Sequence, residues 1–250
     1  MSNEVITSLK NHRSIRSFEK KKIEKEILDE ILEAGIRAAN GGNLQGYSLV
    51  VVDDLEKLEE LGIYNTPLVI IALADAYRTK KWFTTFGEDK TPVNTTHTFF
   101  INNWDALICL HNIQIAAESL GLGTYYNGDV TSKDLRKIIN NPMYTFPAGM
   151  LCLGYPKNEG RLLDRLPLEA VVHYNSYKIP TEEEIREWYG EKENLFQTRN
   201  SKERLEELKN KGISNMAQAY SKNKFKKDEL DIVSKGIKRN LKESGYDIGI

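Results

Sequence analysis

Two hydrophobic periods alternate along residues 1–180 of this 250-residue chain, and polar or glycine-bearing runs mark the breaks between them. Residues 5–10 predict a short helix. Ile23, Ile27, Leu28, Ile31, Leu32 and Ile36 then recur at helical spacing and predict an amphipathic helix. Ala38-Ala39-Asn40-Gly41-Gly42-Asn43 ends it, since paired glycines and flanking asparagines stop a helix. Residues 47–52 are apolar and β-branched, and Asp53-Asp54 closes them, so they predict a strand; residues 55–61 predict a short helix. Residues 67–74, Pro-Leu-Val-Ile-Ile-Ala-Leu-Ala, are apolar without a break, as suits a strand covered on both faces. The run 75–93 has no clear period; its Tyr77, Arg78, Trp82, Phe83 and Phe86 read equally as a pocket roof or a core cap.

Residues 99–120 form the longest apolar helix, with Trp104, Leu107, Ile108, Leu110, Ile113, Ile115, Ala116 and Ala117 around most of its circumference. That pattern predicts a buried helix, central in the domain or at a subunit seam. Strands are predicted from Thr124-Tyr125-Tyr126, over 148–153 and over 170–174. Beyond Pro180 the character changes: residues 181–250 carry charges of both signs, with apolar positions as sparse as Ile185, Trp188, Leu205, Leu208, Leu230, Ile232 and Val233. This is helix expected to make no core of its own, so it should lie on the main domain of residues 1–180 or wrap a partner subunit.

Composition narrows the function classes. Charged residues are 28% of the chain, yet the net charge is -1, so no bulk field recruits nucleic acid or an anionic membrane. Met1-Ser2-Asn3-Glu4 does not begin a charged-then-apolar leader, and no apolar run approaches membrane-spanning length. A cytoplasmic protein is the expectation. Cys109 and Cys152 lie in apolar surroundings without metal-ligand spacing, which predicts reduced, buried core thiols. The 4 histidines do not cluster with them, so a zinc site is not supported.

The candidate chemistry lies in His12-Arg13-Ser14-Ile15-Arg16-Ser17-Phe18. Three cation-capable side chains and two hydroxyls crowd together, and Ile15 and Phe18 can pin the stretch to a core. Arginine forks and a serine hydroxyl suit a compact dianion such as a phosphate monoester. Taken alone, such a cluster is more often a solvated basic turn with a serine cap. Asn40-Gly41-Gly42-Asn43 is likewise either a plain helix terminator or a place where backbone approaches a flat ligand.

Six blocks in order change the weight of these readings. They are His-Arg-Ser-Ile-Arg-Ser-Phe at 12–18, Ala-Asn-Gly-Gly-Asn-Leu-Gln at 39–45, Ala-Glu-Ser-Leu-Gly-Leu-Gly at 117–123, Leu-Cys-Leu-Gly-Tyr-Pro at 151–156, Asp-Arg-Leu-Pro at 164–167 and His-Tyr-Asn-Ser-Tyr at 173–177. With them the chain resembles the flavin-dependent nitroreductase family over residues 5–180, most of all its oxygen-insensitive, NADPH-preferring nitroreductase and flavin reductase branch. The resemblance implies an α+β, three-layer fold: a mostly antiparallel central sheet flanked by helices, with a C-terminal helical extension. It implies a homodimer whose C-terminal segments embrace the other subunit, and one FMN per subunit at the interface.

Carried over by position, His12, Arg13, Ser14 and Arg16 would face the FMN phosphate, ribityl chain and pyrimidine edge, and Arg165 would return to the phosphate. Asn40, Gly41, Asn43 and Leu44 would reach the flavin from the other subunit. Tyr126, Asn127, Gly128 and Asp129 would lie along the isoalloxazine edge near N5. The implied activity is ping-pong hydride transfer from NADPH or NADH, through FMN, to a small-molecule acceptor: a nitroaromatic, a quinone or a free flavin. The cofactor carries that chemistry, so no protein side chain need be a chemical catalyst. Arg199, Lys202 and Arg204 fall where the branch has a basic loop for the 2′-phosphate of NADPH, or are surface charges on a helix.

Three departures stand out. Leu163 occupies the position of a common lysine, with Arg161 as its nearest substitute. Asp129 stands where a second glycine is usual. A flavin-touching glutamine has no clear counterpart, leaving Tyr64 or Asn65 in its place. A non-catalytic FMN-storage or regulatory protein on the same fold is the alternative that these departures keep open.

Overall fold

Alternate residues of one strand face two different cores, and the layers follow from that. β1 (Tyr47–Val52), β2 (Leu68–Asp75), β3 (Gly123–Asn127) and β4 (Thr145–Gly154) form one antiparallel sheet in the order β1-β2-β4-β3. The helices before it and between its strands are α1 (Glu4–Lys10), α2 (Lys25–Ile36), α3 (Leu55–Glu60), α4 (Tyr77–Thr85), α5 (Thr96–Ser119) and α6 (Arg136–Ile139). On β2, Leu68, Ile70 and Ala72 pack with Ile31 of α2 and with Ala106, Leu110 and Ile113 of α5. Val69, Ile71 and Leu73 point the other way, onto Leu58, Leu61, Val130 and Leu135. Side chains alternate across a strand, so a continuously apolar strand must be covered twice. Every residue of β2 is buried.

These facts come from a computed structural model describing residues 3–249. It divides into two compact units, one running to Leu162 and resuming at Val233, the other Leu163–Ile232. The first unit holds the sheet. From Val233 onward, α10 (Lys227–Ser244) belongs with it, and Leu241 and Tyr246 join Ala74, Phe99 and Phe146 in a third cluster. Both cysteines are free and buried. No helix of the described residues is long and apolar enough to cross a membrane.

The structure amends the sequence reading in four places. Residues 170–174 are not a strand: Leu168–Ala170 is a short 3-10 turn, and Val171 and Tyr174 are exposed. Strand preference expresses packing on a pleated neighbour, and no described residue of the second unit is in a strand. The run 75–93 contains α4. The long helix α5 is buried on one face only, leaving Phe100, Trp104, Leu107 and Ile108 exposed at i, i+4, i+7 and i+8 spacing. Residues beyond Pro180 do make a small core. In the second unit α7 (Glu182–Arg199), α8 (Lys202–Asn210) and α9 (Met216–Ala219) bury Phe196, Leu208 and Ile213, with Leu205, Met216 and Ala219 packed against them. The Glu193 carboxylate fastens α9 to α7 by accepting the N–H of Met216 at 2.6 Å and of Ala217 at 3.1 Å.

Candidate functional site

The stretch His12–Phe18 lies against the start of β3. Ile15 N–H donates to the Thr124 carbonyl at 2.8 Å, and Ser14 and Thr124 form a parallel bridge. Further on, Phe18 bridges Pro156, Glu19 N–H donates to Tyr155 at 2.8 Å, and Lys157 N–H donates to Ser17 at 3.0 Å. Ile15 and Phe18 are buried, and the Phe18 ring stacks on Tyr125 at 6.2 Å. Gly123 permits this seating, since a Cβ there would stand 2.8 Å from the Ile15 Cβ.

With the apolar residues turned inward, the polar ones are left with few partners. Arg13 Nη1 donates to the Glu159 carbonyl at 3.4 Å and lies 3.6 Å from the Glu159 carboxylate, while Arg13 Nε is buried with no partner. Arg16 is exposed; its guanidinium sits 5.6 Å from the Tyr125 ring centre. His12 is half-buried, with Nδ1 2.8 Å from Glu118 Oε1. That oxygen also accepts from the Thr124 hydroxyl at 2.6 Å and from Gln114 Nε2 at 3.0 Å.

The loop after α2 is held differently. Gly41 N–H donates to both oxygens of Asp105, at 3.0 and 3.1 Å. Asn40 Oδ1 accepts from Gln45 N–H at 3.0 Å, and Arg78 Nη2 donates to the Tyr47 carbonyl at 2.9 Å. Gly42, Asn43 and Gln45 all have left-handed backbone, with φ of 58°, 56° and 48°. Gly41 is needed for close packing: a Cβ would come within 2.5 Å of Ile101 Cγ2. Burial pushes the Asp105 carboxyl up, and backbone N–H bonds from Gly41 and Gly46 pull it part of the way back. Asn43 and Leu44 are exposed.

Tyr126 and Asn127 end β3, and Asn127 Oδ1 accepts the Asp129 N–H at 2.9 Å. Gly128 and Asp129 are exposed, and the following turn is clasped by α10. Asn240 Nδ2 donates to the carbonyls of Thr131 and Lys133 at 2.7 and 2.8 Å, and Arg239 Nη2 donates to Ser132 at 3.0 Å. In the second unit, Arg165 Nη1 donates to its neighbours' carbonyls, Leu163 at 3.3 Å and Asp164 at 3.1 Å. The Lys192 ammonium, 2.6 Å from Asp164, holds that carboxyl below its ordinary value. Arg204 pairs with Glu207 at 2.8 Å, Arg199 and Lys202 are exposed, and so are Tyr64 and Asn65 of the first unit.

Sequence reasoning passed over the residues that hold these groups in place. Asp105 signals itself as a lone carboxylate in an apolar helix, and Glu118 lies inside a quoted block without being singled out. Asn240 has no signal, since its partners stand more than a hundred positions away.

Residues 9–155 match the sequence model of the Nitroreductase family. The chain belongs to this family. An FMN reductase (NADPH) of Bacillus subtilis (strain 168) is 32% identical over 192 residues, covering 72% of this chain and 77% of that protein. A second reductase of the same strain, an FMN reductase (NAD(P)H), is 34% identical over 218 residues, covering 79% and 88%. The solved structure of an oxidoreductase from Bacteroides fragilis NCTC 9343 superposes with a TM-score of 0.85 at 26% identity, over 96% of this chain and 99% of that one. In this nitroreductase-family chain the two anchored stretches meet α5 far apart. Asp105 and Glu118 both lie on α5, and at 1.5 Å per residue they are separated by about 20 Å along its axis.

Proposed function

We propose that this nitroreductase-family chain is an FMN-dependent oxidoreductase that takes a hydride from NADPH or NADH. It passes the hydride by ping-pong exchange to a small acceptor: a nitroaromatic, a quinone or a flavin. The observation that carries the reading is Arg13 Nε, a buried guanidinium nitrogen without an acceptor. Such an atom is costly unless a ligand completes it. A phosphomonoester tail offers the acceptor oxygen that Arg13 Nε lacks, with Ser14 and His12 on the same stretch as further donors. The residues present fit the group.

Hydride chemistry is what FMN supplies when bound; the chain binds, orients and sets the local charge. Arg16, with its guanidinium 5.6 Å from the Tyr125 ring centre and no hydrogen bond among the described residues, offers a cation to the pyrimidine edge. Tyr126, Asn127, Gly128 and Asp129 would line the edge near N5, and Asp129 would disfavour anionic partners there.

A homodimer completes the site in this reading. Asp105, which holds the Asn40–Leu44 loop, and Glu118, which contacts His12, stand about 20 Å apart along α5, a spacing that supports bringing the two stretches to one flavin from two chains. A second copy supplies Asn40, Gly41, Asn43 and Leu44. The exposed stripe of Phe100, Trp104, Leu107 and Ile108 supports a seam along α5, with the C-terminal helices embracing the partner.

The test is the absorbance spectrum of the purified protein, followed by anaerobic titration with each nicotinamide. A yellow protein bleached by NADPH or NADH is expected. A colourless protein that takes up no added FMN sinks the proposal, and a yellow one that neither nicotinamide bleaches is a flavin store.

A further inference from the structure

The loop that carries Asn43 and Leu44 does not hold its shape through its own sequence. Asn43 and Gln45 have left-handed backbone, with φ of 56° and 48°, which residues other than glycine adopt at a cost. Outside contacts must therefore impose it. Asp105 grips the start of the loop through Gly41, and Arg78 of α4 grips its end. Arg78 Nη2 donates to the Gln45 carbonyl and, at 2.9 Å, to the Tyr47 carbonyl. The Gln45 carbonyl also accepts the Tyr47 N–H at 2.7 Å, closing a three-residue turn around Gly46. Two carbonyl oxygens gathered at one nitrogen repel each other, and the cation between them offsets that repulsion.

Arg78 reaches this spot from a fixed base. Its own N–H donates at 3.0 Å to Asp75, the buried last residue of β2. The same carboxylate accepts the Ser48 hydroxyl, and the Asp75 N–H donates to the Gly46 carbonyl at 2.8 Å. The end of β2, the first turn of α4 and the loop are thus one tied corner. Gly46 keeps that corner close to α5, since a Cβ there would stand 2.0 Å from Asn102 Oδ1. An exposed arginine ordinarily keeps its charged head in water; this one spends Nη2 on the backbone of a loop. Between the two grips Asn43 and Leu44 stand exposed.

We propose that Arg78 is a positioning residue. By holding the Gln45 and Tyr47 carbonyls it sets the pose in which Asn43 and Leu44 meet the ring of a flavin held by the second copy. The proposal rests on the FMN and homodimer readings above. Arg78 itself touches neither flavin nor substrate. Its influence falls on the ring end of the cofactor, because the phosphate grip of that reading lies on the His12 stretch. Loss of Arg78 therefore loosens the loop, alters the surroundings of the ring and slows hydride uptake, while the preference for FMN over riboflavin stays. A lysine keeps the charge on a flexible stem with a compact head, so it restores part of the hold.

The experiment compares the parent with Arg78→Ala and Arg78→Lys, each as the full chain, flavin-stripped and FMN-loaded. Hydrogen exchange on the stripped chains reads the loop, where the Gln45 and Tyr47 amides should exchange faster in Arg78→Ala. The visible absorbance bands of bound FMN read the surroundings of the ring and should shift in the same variant. Anaerobic bleaching at saturating nicotinamide should slow on the order of tenfold to a hundredfold, the scale of a small misplacement of reacting groups. Arg78→Lys should recover part of all three. The ratio of FMN to riboflavin dissociation constants and the urea midpoint should stay at the parent's values. Faster loop exchange with the parent's FMN spectrum and bleaching rate overturns the proposal, since the loop is then loosened without consequence at the flavin. Parent-like exchange, or a changed FMN-to-riboflavin ratio, overturns it as well. Should Arg78→Ala fail to fold, Arg78→Met, which keeps the stem and removes the donors, is read in the same way. Failure of both overturns the proposal, because Arg78 then serves the fold and not the flavin. A parent that binds no FMN defeats the cofactor reading and this role together. A parent that binds FMN, with variants that match it, defeats only the role given to Arg78.

Discussion

Two stretches of this chain are pinned to the fold by opposite means. His12–Phe18 is anchored through apolar side chains and backbone bridges, with Ile15 and Phe18 buried, and its guanidinium groups keep few partners. Residues 39–46 are anchored through charge, the Asp105 carboxylate on the Gly41 N–H and the Arg78 guanidinium on the Tyr47 carbonyl. The exposed side chains there, Asn43 and Leu44, are uncharged. The contrast has a physical logic. A segment that must offer cations to a ligand cannot commit them to its own fold, so hydrophobic burial has to hold it. A segment that offers backbone and uncharged groups can be held by charged side chains of the fold.

The largest effect should come from removing the apolar pin. Phe18→Ala deletes a buried ring stacked on Tyr125, for which core truncations cost about 3–5 kcal/mol. A denaturant melt should show that loss, and FMN affinity should fall with it, because Arg13 and Arg16 lose their fixed backbone. A loss under about 1 kcal/mol would mean that the bridges to Thr124 and Pro156 hold the stretch unaided, and the contrast drawn here would fail.

Asp105→Ala strikes the other anchor. It leaves the half-buried Gly41 N–H without either of its acceptor oxygens, at a cost of up to about 1–3 kcal/mol. Asp105→Asn should cost less, since it keeps one acceptor oxygen and removes a desolvated charge. The amides of Gly41 and Gly46 should exchange with solvent faster in the alanine variant. The preference for FMN over riboflavin should not move, because the proposed phosphate grip on the His12 stretch lies toward the far end of α5. A changed preference would show that the two anchors are coupled.

Much of this was readable beforehand, for reasons that differ by element. β1 and β2 announce themselves by β-branched runs, and α2 by its spacing, because local periodicity and burial agree there. Ile15 and Phe18 were recognisable as pins because they interrupt a polar cluster. The unbroken apolarity of α5 left a central helix and a subunit seam both open, since one side faces the sheet and the other carries an exposed stripe; periodicity does not distinguish a covered apolar face from an exposed one. The run 170–174 misled for the converse reason, having strand-like residues and no strand to pair with. The contacts of Glu118, Asp105 and Asn240 join distant segments, and the pattern near each residue carries no trace of them.

Each stretch also has a buried thiol beside a tyrosine, and these allow the finest comparison. Cys152 neighbours Tyr125, the ring under Phe18 and Arg16; Cys109 neighbours Tyr47, at the end of the Asn40 loop. Burial pushes the Cys152 thiol from 9.0 up to about 11, and the Cys109 thiol up as well. The folded state therefore holds these protons more tightly than the unfolded chain does. Their contribution is fully present below the unfolded value of 9.0 and is lost as pH rises through the folded one, about 11 for Cys152. For Cys152 that is about 1 kcal/mol between pH 9 and 10. Tyr47 and Tyr125, both pushed up to about 12 by burial, act in the same sense at higher pH, so the parent's slope alone is not diagnostic. The measurement is the difference in slope between the parent and each of Cys152→Ala and Cys109→Ala, from urea melts at several pH values. Cys152→Ala should flatten the alkaline loss by about 1 kcal/mol, and the flavin-stripped parent should lose its grip on FMN before it unfolds globally. If Cys109→Ala alone flattens the curve, the alkaline weak point is the charge-anchored loop, and apolar burial is the more durable of the two anchors.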